Sequence, residues 1–246
     1  MTSTGFLRRL PQAVIHNAST IWRRDEGRLL GHLRRLFRSL NIQTALDIGA
    51  NRGRYIEQLR TVVGFSGDII AFEPIPENAD LIARQARYDA RLKVEPLALG
   101  AGSETRTLNI ARHDAMSSLH APVSDGVERF SSLGEIQKRI EVRVEPLDTI
   151  AERLLDGATG GVFLKIDAQG ADLDILAGAR KTLARIDALQ IEIPFTPLYE
   201  NIPAAHDYFA AVDEAGFALT GVFPVHSLED HRIIDVDAVF RKKPAG

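Results

Sequence analysis

The feature that most constrains the fold is a short apolar run that leads through a glycine-containing turn directly into a helical pattern. The apolar run covers residues 44–48, the turn reads DIGANRG over residues 47–53, and residues 53–63 show apolar residues at helical spacing. Glycines at positions 49 and 53 allow a tight turn and a close approach of the backbone to a ligand. This order of strand, turn and helix is typical of α/β domains that bind a ligand at the end of a strand.

The rest of the chain continues this alternation. Predicted strands lie at 44–48, 68–72, 92–99, 161–167 and 188–194, and predicted helices at 53–63, 77–89, 171–185 and 203–215. Repeated β-α units predict a mostly parallel sheet with helices on both faces. Two strand-like runs, 105–111 and 140–147, interrupt the pattern as a β insert after the third strand. Two final β-rich runs, 217–225 and 232–241, predict a C-terminal hairpin.

The second predicted strand ends in an acid that indicates an adenosine-containing cofactor. Glu73 follows Gly53 by twenty residues, where an acid typically accepts hydrogen bonds from the two ribose hydroxyls. The glycine spacing G-x-x-x-G differs from the dinucleotide fingerprint, and Asp47 would repel a pyrophosphate. S-adenosylmethionine (SAM) carries an ammonium, a carboxylate and a sulfonium but no phosphate. The pattern therefore favours SAM over NAD, with an NAD-type oxidoreductase as the alternative.

The composition limits the setting in which the chain works. It has no cysteine, which excludes disulfides and thiolate metal sites and fits a reducing compartment. No stretch approaches the roughly 20 apolar residues of a membrane span, and the N-terminus has no apolar signal-peptide region. The net charge of −3 argues against a nucleic-acid partner. We therefore expect a cytoplasmic protein without a transmembrane segment.

The charge is concentrated at the N-terminus. Residues 1–40 hold eight arginines against two acids, an excess of +6. Apolar residues between Glu26 and Leu40 recur at helical spacing, which predicts a helix packed on the domain edge with a solvated basic face. We divide the chain into residues 1–40, a basic amphipathic helical segment, and residues 41–246, the α/β domain. The alternative function of the segment is peripheral contact with a membrane surface or another anionic partner.

Several motifs resemble the FkbM family of SAM-dependent methyltransferases over residues 43–241. They are LDIGANRG (46–53), AFEPIP (71–76), LALG (97–100), SSL (117–119), LDT (147–149), LKIDAQGAD (164–172), LAGA (176–179), PLYE (197–200) and DAVF (237–240). The family commonly has glutamate where this chain has Gln169 and Asp172. The resemblance leaves the basic N-terminal segment unexplained.

The resemblance implies a class I methyltransferase (Rossmann-like) fold with a seven-stranded sheet and SAM at the Asp47–Gly53 turn. It also implies O-methylation of a sugar hydroxyl in a small-molecule or glycan acceptor. A catalytically silent SAM-binding protein is a further alternative, and the oligomeric state is left open. The expected cofactor contacts are Asp47, Gly49, Ala50, Asn51, Gly53, Glu73, Pro74, Leu97, Ala98, Ser118 and Asp167.

The expected catalytic residues lie at neighbouring strand ends. Asp167 ends one predicted strand, Lys165 lies on the same face two residues earlier, and Glu192 is near the end of the next strand. A hydroxyl acceptor needs a base or a metal ion to become nucleophilic. Asp167, Lys165 and Glu192 are therefore the candidate catalytic residues, and Asp167 and Glu192 are candidate ligands for a divalent cation such as Mg²⁺. An ion pair of Lys165 with either acid is the alternative for the lysine.

Two histidines, His113 and His120, flank the serine-containing loop of the insert and are further candidate bases. Residues 102–150 and 194–205 are expected to wall the acceptor pocket, because their mixture of aromatic and polar side chains suits a sugar.

Overall fold

The computed structural model describes residues 12–123, 134–228 and 230–244, with side chains from Asp25 onward. Arg8 and Arg9 of the predicted basic segment lie outside the described residues. The helices are α1 (Gln12–Ser39), α2 (Arg54–Gln58, continued by a π-helical turn Leu59–Val63), α3 (Pro76–Ala86), α4 (Leu147–Leu154), α5 (Asp172–Ala177) and α6 (Ala205–Glu214). The strands are β1 (Ile42–Ile48), β2 (Asp68–Phe72), β3 (Leu92–Glu95), β4 (Ala98–Leu99), β5 (Glu104–Ala111), β6 (Ile136–Glu145), β7 (Gly161–Ile166), β8 (Ala188–Pro194), β9 (Phe217–Ser227) and β10 (Ile233–Lys242).

The main sheet has seven strands in the order β3-β2-β1-β7-β8-β10-β9. Strand β10 pairs antiparallel with both β8 and β9, and the other pairings are parallel. The sequence-based prediction of a mostly parallel sheet with a C-terminal hairpin is confirmed. The chain runs outward from β1 in one direction and from β7 in the other, so the strand order reverses between β1 and β7. Ligands of open α/β sheets bind at this point.

The insert forms a second, three-stranded sheet in the order β4-β6-β5. The predicted strand over residues 92–99 is divided by Pro96 into β3 and β4, which belong to different sheets. The predicted strand over residues 140–147 ends at Glu145, and α4 follows it. The prediction missed this helix, whose Leu147, Ile150 and Ala151 are buried at helical spacing.

The predicted helix over residues 171–185 is interrupted after α5. A Cβ atom on Gly178 would lie 2.0 Å from the carbonyl oxygen of Gly100, so the backbones of two segments meet here. The chain resumes as a short 3₁₀ turn, Thr182–Arg185. Contact between backbones, which no local pattern reveals, therefore divides the helix.

Helix α1 packs its apolar face on the sheet, as its spacing predicts. Leu29, Leu33 and Phe37 are buried, and the ring of Phe37 lies 4.8 Å from that of Phe163 in β7. The division between residues 1–40 and 41–246 stays a prediction. Within the described ranges, no helix has the length and apolar character needed to cross a membrane.

Candidate functional site

A cleft opens where the strand order reverses, at the carboxyl ends of β1, β2 and β7. It encloses about 710 Å³, including its open mouth. Its lining residues are Ile48, Gly49, Asn51, Phe72, Glu73, Pro74, Ile75, Leu97, Ala98, Leu99, Leu108, Asp114, Ala115, Ser117, Leu119, Asp167, Ala168, Gln169, Ala171 and Ile175. An apolar floor with a few polar groups at the rim is typical of such sites.

The turn after β1 brings its backbone against β7. Gly49 and Gly53 have φ values of 78° and 82°, and Asn51 has a φ of 49°. These left-handed conformations are accessible to glycine and, less often, to asparagine. The amides of Gly49 and Ala50 both donate to the carbonyl oxygen of Phe72 at 3.1 Å. The turn is therefore held between two strands, with its backbone facing the cleft.

Glu73 lies at the end of β2, only 3% exposed, and lines the cleft. Its Oε2 accepts from the Asn51 amide at 2.7 Å, and its Oε1 accepts from the Ile75 amide at 2.8 Å. Burial raises the pKa of Glu73 to about 7, although the two backbone hydrogen bonds oppose this shift. Each carboxylate oxygen keeps a second lone pair, so the side chain is able to accept from ribose hydroxyls as predicted.

Asp47, which we expected to contact the cofactor, lies beneath the cleft rather than in its lining. Its side chain is fully buried, and neither carboxylate oxygen accepts a hydrogen bond from the described part of the chain. Its Oδ1 lies 3.4 Å from Lys165 Nζ. Burial raises the pKa of Asp47, and the charge of Lys165 opposes that rise.

Lys165 forms an ion pair, which was the alternative interpretation of this residue. Its Nζ lies 3.2 Å from Asp167 Oδ2 and 5.0 Å from the centre of the Tyr55 ring. Burial alone would lower the pKa of Lys165, but the charges of Asp167 and Asp47 outweigh burial and raise it. The lysine therefore stays protonated and balances two carboxylates, so it does not serve as a base.

Gln169 lies between the two acids that we considered as metal ligands. Its Nε2 donates to Asp167 Oδ1 at 3.0 Å and to Glu192 Oε2 at 2.9 Å. Its Oε1 accepts from the hydroxyl of Tyr199 at 2.7 Å. An N–H donor therefore takes the place that a cation would need. Among the described residues, no group of three or more His, Asp or Glu side chains could hold a metal ion. The residues do not fit the divalent site that we expected here.

The remaining predicted cofactor contacts divide into two groups. Pro74, Leu97 and Ala98 line the cleft, whereas Ala50 and Gly53 do not. Ala50 is buried in the hydrophobic core, and Gly53 lies against the Gln85 side chain. Ser118 does not line the cleft either. Its hydroxyl donates to the carbonyl oxygen of Gln169 at 2.6 Å and so holds the loop after β7.

Neither candidate histidine lines the cleft. Burial lowers the pKa of His120, and His120 packs near Gly170.

The prediction expected residues 102–150 to wall the acceptor pocket, but it did not single out the turn of the insert that lines the cleft. Asp114, Ala115 and Leu119 line it, and Asp114 Oδ2 accepts from Arg52 Nε at 2.6 Å. This ion pair joins the turn after β1 to the insert. The only signal in the sequence was the short SSL motif beside these residues.

A second, smaller cavity adjoins the cleft, with about 320 Å³ when its open mouth is included. The two share Gln169, and the second cavity is lined by Gln169, Gly170, Asp172, Glu192, Pro194, Thr196, Leu198, Tyr199, Ile202, Ile234 and Asp235. Part of the segment 194–205 lines this cavity, and its role as a wall of the acceptor pocket stays a prediction.

The model of the methyltransferase FkbM domain matches residues 47–219, more than half of the chain. The chain belongs to this family. The match includes the glycine turn, Glu73, the insert and the loop that carries Asp167 and Gln169. The sequence-based assignment to the FkbM family is thus confirmed, and with it the class I SAM methyltransferase fold.

The solved structures that match this chain are distant in sequence. Methyltransferase FkbM from Methylobacillus flagellatus has 16% identity and a TM-score of 0.49, and the match covers 80% of this chain but only 43% of that chain. Fibrillarin from Aeropyrum pernix with bound SAM has 11% identity and a TM-score of 0.43, covering 80% and 66%. Magnesium protoporphyrin IX methyltransferase from Synechocystis with bound SAM has 7% identity and a TM-score of 0.47, covering 90% and 81%. No curated protein matches the sequence significantly.

The cleft of this FkbM-family chain fits SAM in its chemistry. A Cβ atom at Gly49 would lie 1.8 Å from the Asp167 carbonyl oxygen, so the turn fits tightly against the loop after β7. Glu73 offers carboxylate oxygens to ribose hydroxyls, and the apolar floor suits an adenine ring. Among the described lining residues there is no lysine or arginine that could bind a pyrophosphate.

Proposed function

We propose that this chain transfers a methyl group from SAM to a hydroxyl of a sugar or glycan-like acceptor. The observation that carries the proposal is that Gln169 lines both cavities and connects them through hydrogen bonds. One amide nitrogen, Gln169 Nε2, donates both to Asp167 in the cleft and to Glu192 in the second cavity. A base in the second cavity would then lie beside a cofactor in the first.

Bound SAM supplies an electrophilic methyl group on a sulfonium, and the protein supplies alignment and a proton acceptor. Glu73 and the backbone of the turn at Gly49 hold the nucleoside part. Lys165 balances the charge of Asp47 and Asp167 beneath it. This arrangement leaves the rim of the cleft beside Gln169 as the place where an acceptor oxygen approaches.

Glu192 is the proposed general base. Gln169 fixes its Oε2, and Oε1 accepts no hydrogen bond from the described part of the chain. Burial and the charge of Asp167 raise the pKa of Glu192, which makes its carboxylate a stronger proton acceptor than an exposed glutamate. A positioned base of this kind contributes about 10²–10⁴-fold to the rate.

Calorimetric titration with S-adenosylhomocysteine (SAH), with NADH as the comparison ligand, tests the cofactor. We expect SAH to bind, NADH not to bind, and Glu73→Ala to weaken SAH binding strongly. Binding of NADH instead would favour the oxidoreductase alternative. Binding of SAH without turnover on any acceptor would favour a silent SAM-binding protein.

Transfer of labelled methyl groups to a panel of glycosides tests the reaction. Glu192→Gln is expected to lower kcat by about 10²–10⁴-fold while SAH affinity stays unchanged, because it removes the base and keeps the shape. The matched control is Glu200→Gln, an exposed acid in the same segment. Equal activity of Glu192→Gln and wild type would remove Glu192 from the mechanism.

The cytoplasmic location and the membrane contact of residues 1–40 remain part of this proposal. Their support is the absence of cysteine and the +6 excess of charge. We expect a chain without residues 1–24, which keeps the apolar face of α1 from Leu29 onward, to bind anionic vesicles less than the full chain. Unchanged vesicle binding would exclude the membrane role of these residues.

A further inference from the structure

Gln169 has a left-handed backbone, which is uncommon for a residue that is neither glycine nor asparagine. Its φ is 51°, and the Ser118 hydroxyl donates to its carbonyl oxygen at 2.6 Å. A strained backbone conformation persists only where the surrounding contacts hold it, and such residues cluster at functional sites. The contacts of the Gln169 side chain therefore indicate what this conformation serves.

The side-chain amide of Gln169 uses both of its hydrogens between two carboxylates. Nε2 donates to Asp167 Oδ1 at 3.0 Å and to Glu192 Oε2 at 2.9 Å. The other oxygen of Asp167, Oδ2, lies 3.2 Å from Lys165 Nζ. An amide thus joins two acids that a shared divalent cation would join through oxygen ligands.

Tyr199 determines which way this amide points. Its side chain is buried, and its hydroxyl faces two carbonyl oxygens, Gln169 Oε1 at 2.7 Å and that of Met116 at 3.0 Å. Burial and the charge of Glu192 raise the pKa of Tyr199, so the hydroxyl keeps its proton and is able to donate it. A flipped amide would turn Oε1 toward two carboxylate oxygens and bring three acceptors together. The hydroxyl therefore favours the orientation in which Nε2 faces the acids.

We propose that Tyr199 and Gln169 are positioning residues that take the place of a divalent cation between Asp167 and Glu192, so that methyl transfer here needs no metal ion. This inference rests on the proposed function, in which Glu192 is the base. An N–H donor fixes a carboxylate and leaves its charge in place, so Glu192 keeps its capacity to accept a proton. A cation at the same oxygens would reduce that capacity.

Metal binding tests the inference on the unmodified full chain, with Mn²⁺ as the probe and electron paramagnetic resonance as the measurement. We expect no Mn²⁺ to bind to the SAH-saturated chain, and we expect methyl transfer to be unchanged by a chelator. Gln169→Glu replaces the N–H donor by a third carboxylate oxygen, and a cation would relieve the repulsion among the three acids. This variant should bind Mn²⁺, whereas Gln137→Glu, at an exposed position on β6, should not.

Removal of the Tyr199 hydroxyl tests the orientation of the amide. The two side-chain NH₂ protons of Gln169 should resonate downfield of those of exposed glutamines, and the signal is assigned by its loss in Gln169→Glu. We expect Tyr199→Phe to move this signal toward the exposed values. It should also lower kcat roughly tenfold, which corresponds to the loss of one hydrogen bond, with SAH affinity unchanged. Tyr88→Phe, on a tyrosine that is 94% exposed, should change neither the signal nor kcat.

The possible results separate this inference from the proposed function. Binding of Mn²⁺ to the unmodified chain, loss of methyl transfer on chelation, absence of Mn²⁺ binding by Gln169→Glu, or an unchanged Gln169 signal in Tyr199→Phe would each overturn the inference. The metal-binding and NMR measurements need no acceptor, so the expected results without methyl transfer to any glycoside would count against the proposed reaction alone. If Tyr199→Phe does not fold, the metal measurements on the unmodified chain and on Gln169→Glu still decide.

Discussion

A Cβ atom on Gly49 would lie 1.8 Å from the carbonyl oxygen of Asp167, so the turn after β1 and the loop after β7 touch through their backbones. This contact leaves no room for a side chain between the two segments. It also brings Asp167 and its partner Gln169 beside the residues that would hold the cofactor.

We expect Gly49→Ala to disrupt the site, because it combines this collision with a left-handed φ of 78°. SAH binding should fall more than tenfold, and the free energy of unfolding should fall by several kcal/mol. The control is Gly64→Ala, since Gly64 has a φ of 73° but no heavy atom within 4 Å of the added carbon. Gly64→Ala should lower the free energy of unfolding only by the cost of placing alanine in a left-handed conformation, about 1–2 kcal/mol. It should leave SAH binding unchanged. Equal effects of the two variants would contradict the role of the contact.

The stability of the ligand-free protein should depend on Glu73. Its pKa of about 7 in the folded protein lies above its ordinary value of 4.5. A raised carboxyl pKa contributes stability that is present below pH 4.5 and is lost as the pH rises through 7, in total about 3 kcal/mol. Urea unfolding between pH 4.5 and 8 should show this decline, and Glu73→Gln should make it shallower. Part of the decline should remain, because burial also raises the pKa of Asp237 to about 7 and that of Asp172 to about 6. Glu57→Gln, at an exposed site on α2, should keep the wild-type slope.

The ionisation of Glu73 should also make the affinity for SAH depend on pH. Ribose hydroxyls donate to the ionised form of Glu73, so binding should release a proton when the pH is below about 7. SAH affinity should then rise from pH 6 to pH 8, and calorimetry in buffers of different ionisation enthalpy measures the released proton. An affinity independent of pH in the wild-type protein would contradict this assignment.

Replacing the buried Lys165 by a neutral residue should lower the free energy of unfolding. Lys165→Met leaves Asp47 and Asp167 without their partner, and loss of one side of a buried ion pair typically costs about 3–5 kcal/mol. The double variant Lys165→Met/Asp47→Asn should recover part of this loss, because it also removes the orphaned charge. Lys93→Met, at an exposed strand position, is the control and should change the unfolding free energy little. A double variant no more stable than Lys165→Met would argue against a direct pair.

The ion pair between Arg52 and Asp114 should slow the release of the cofactor. Arg52 is 65% exposed, so its contribution to folding stability should be below about 1 kcal/mol. Because the pair ties the insert to the turn beside the cleft, Arg52→Ala should increase the dissociation rate of SAH several-fold in stopped-flow measurements. Arg112→Ala, which removes an exposed ion pair with Glu135 elsewhere in the insert, should not change that rate.

Much of the fold could be predicted from the local pattern of apolar and polar residues. Strands β2 and β8 have the predicted bounds, and the parallel sheet and the hairpin follow from the alternation of elements. Glu73 was also predictable, because its distance from the glycine turn places it at the end of the neighbouring strand. Helix α4 was missed because its apolar spacing begins at Leu147, only two residues after the end of β6, so the strand and helix patterns run into each other.

The local periodicity of this sequence determined which segments are strands and helices, and its glycine turn with Glu73 determined where a nucleoside-containing cofactor would bind. Only the tertiary structure decided the partners of the polar side chains. Asp47 meets Lys165 beneath the cleft, and Gln169 joins Asp167 to Glu192 instead of leaving these acids to a metal ion. The reason is physical: periodicity records which face of an element is apolar, whereas hydrogen bonds between side chains depend on the approach of strands and loops far apart in the chain.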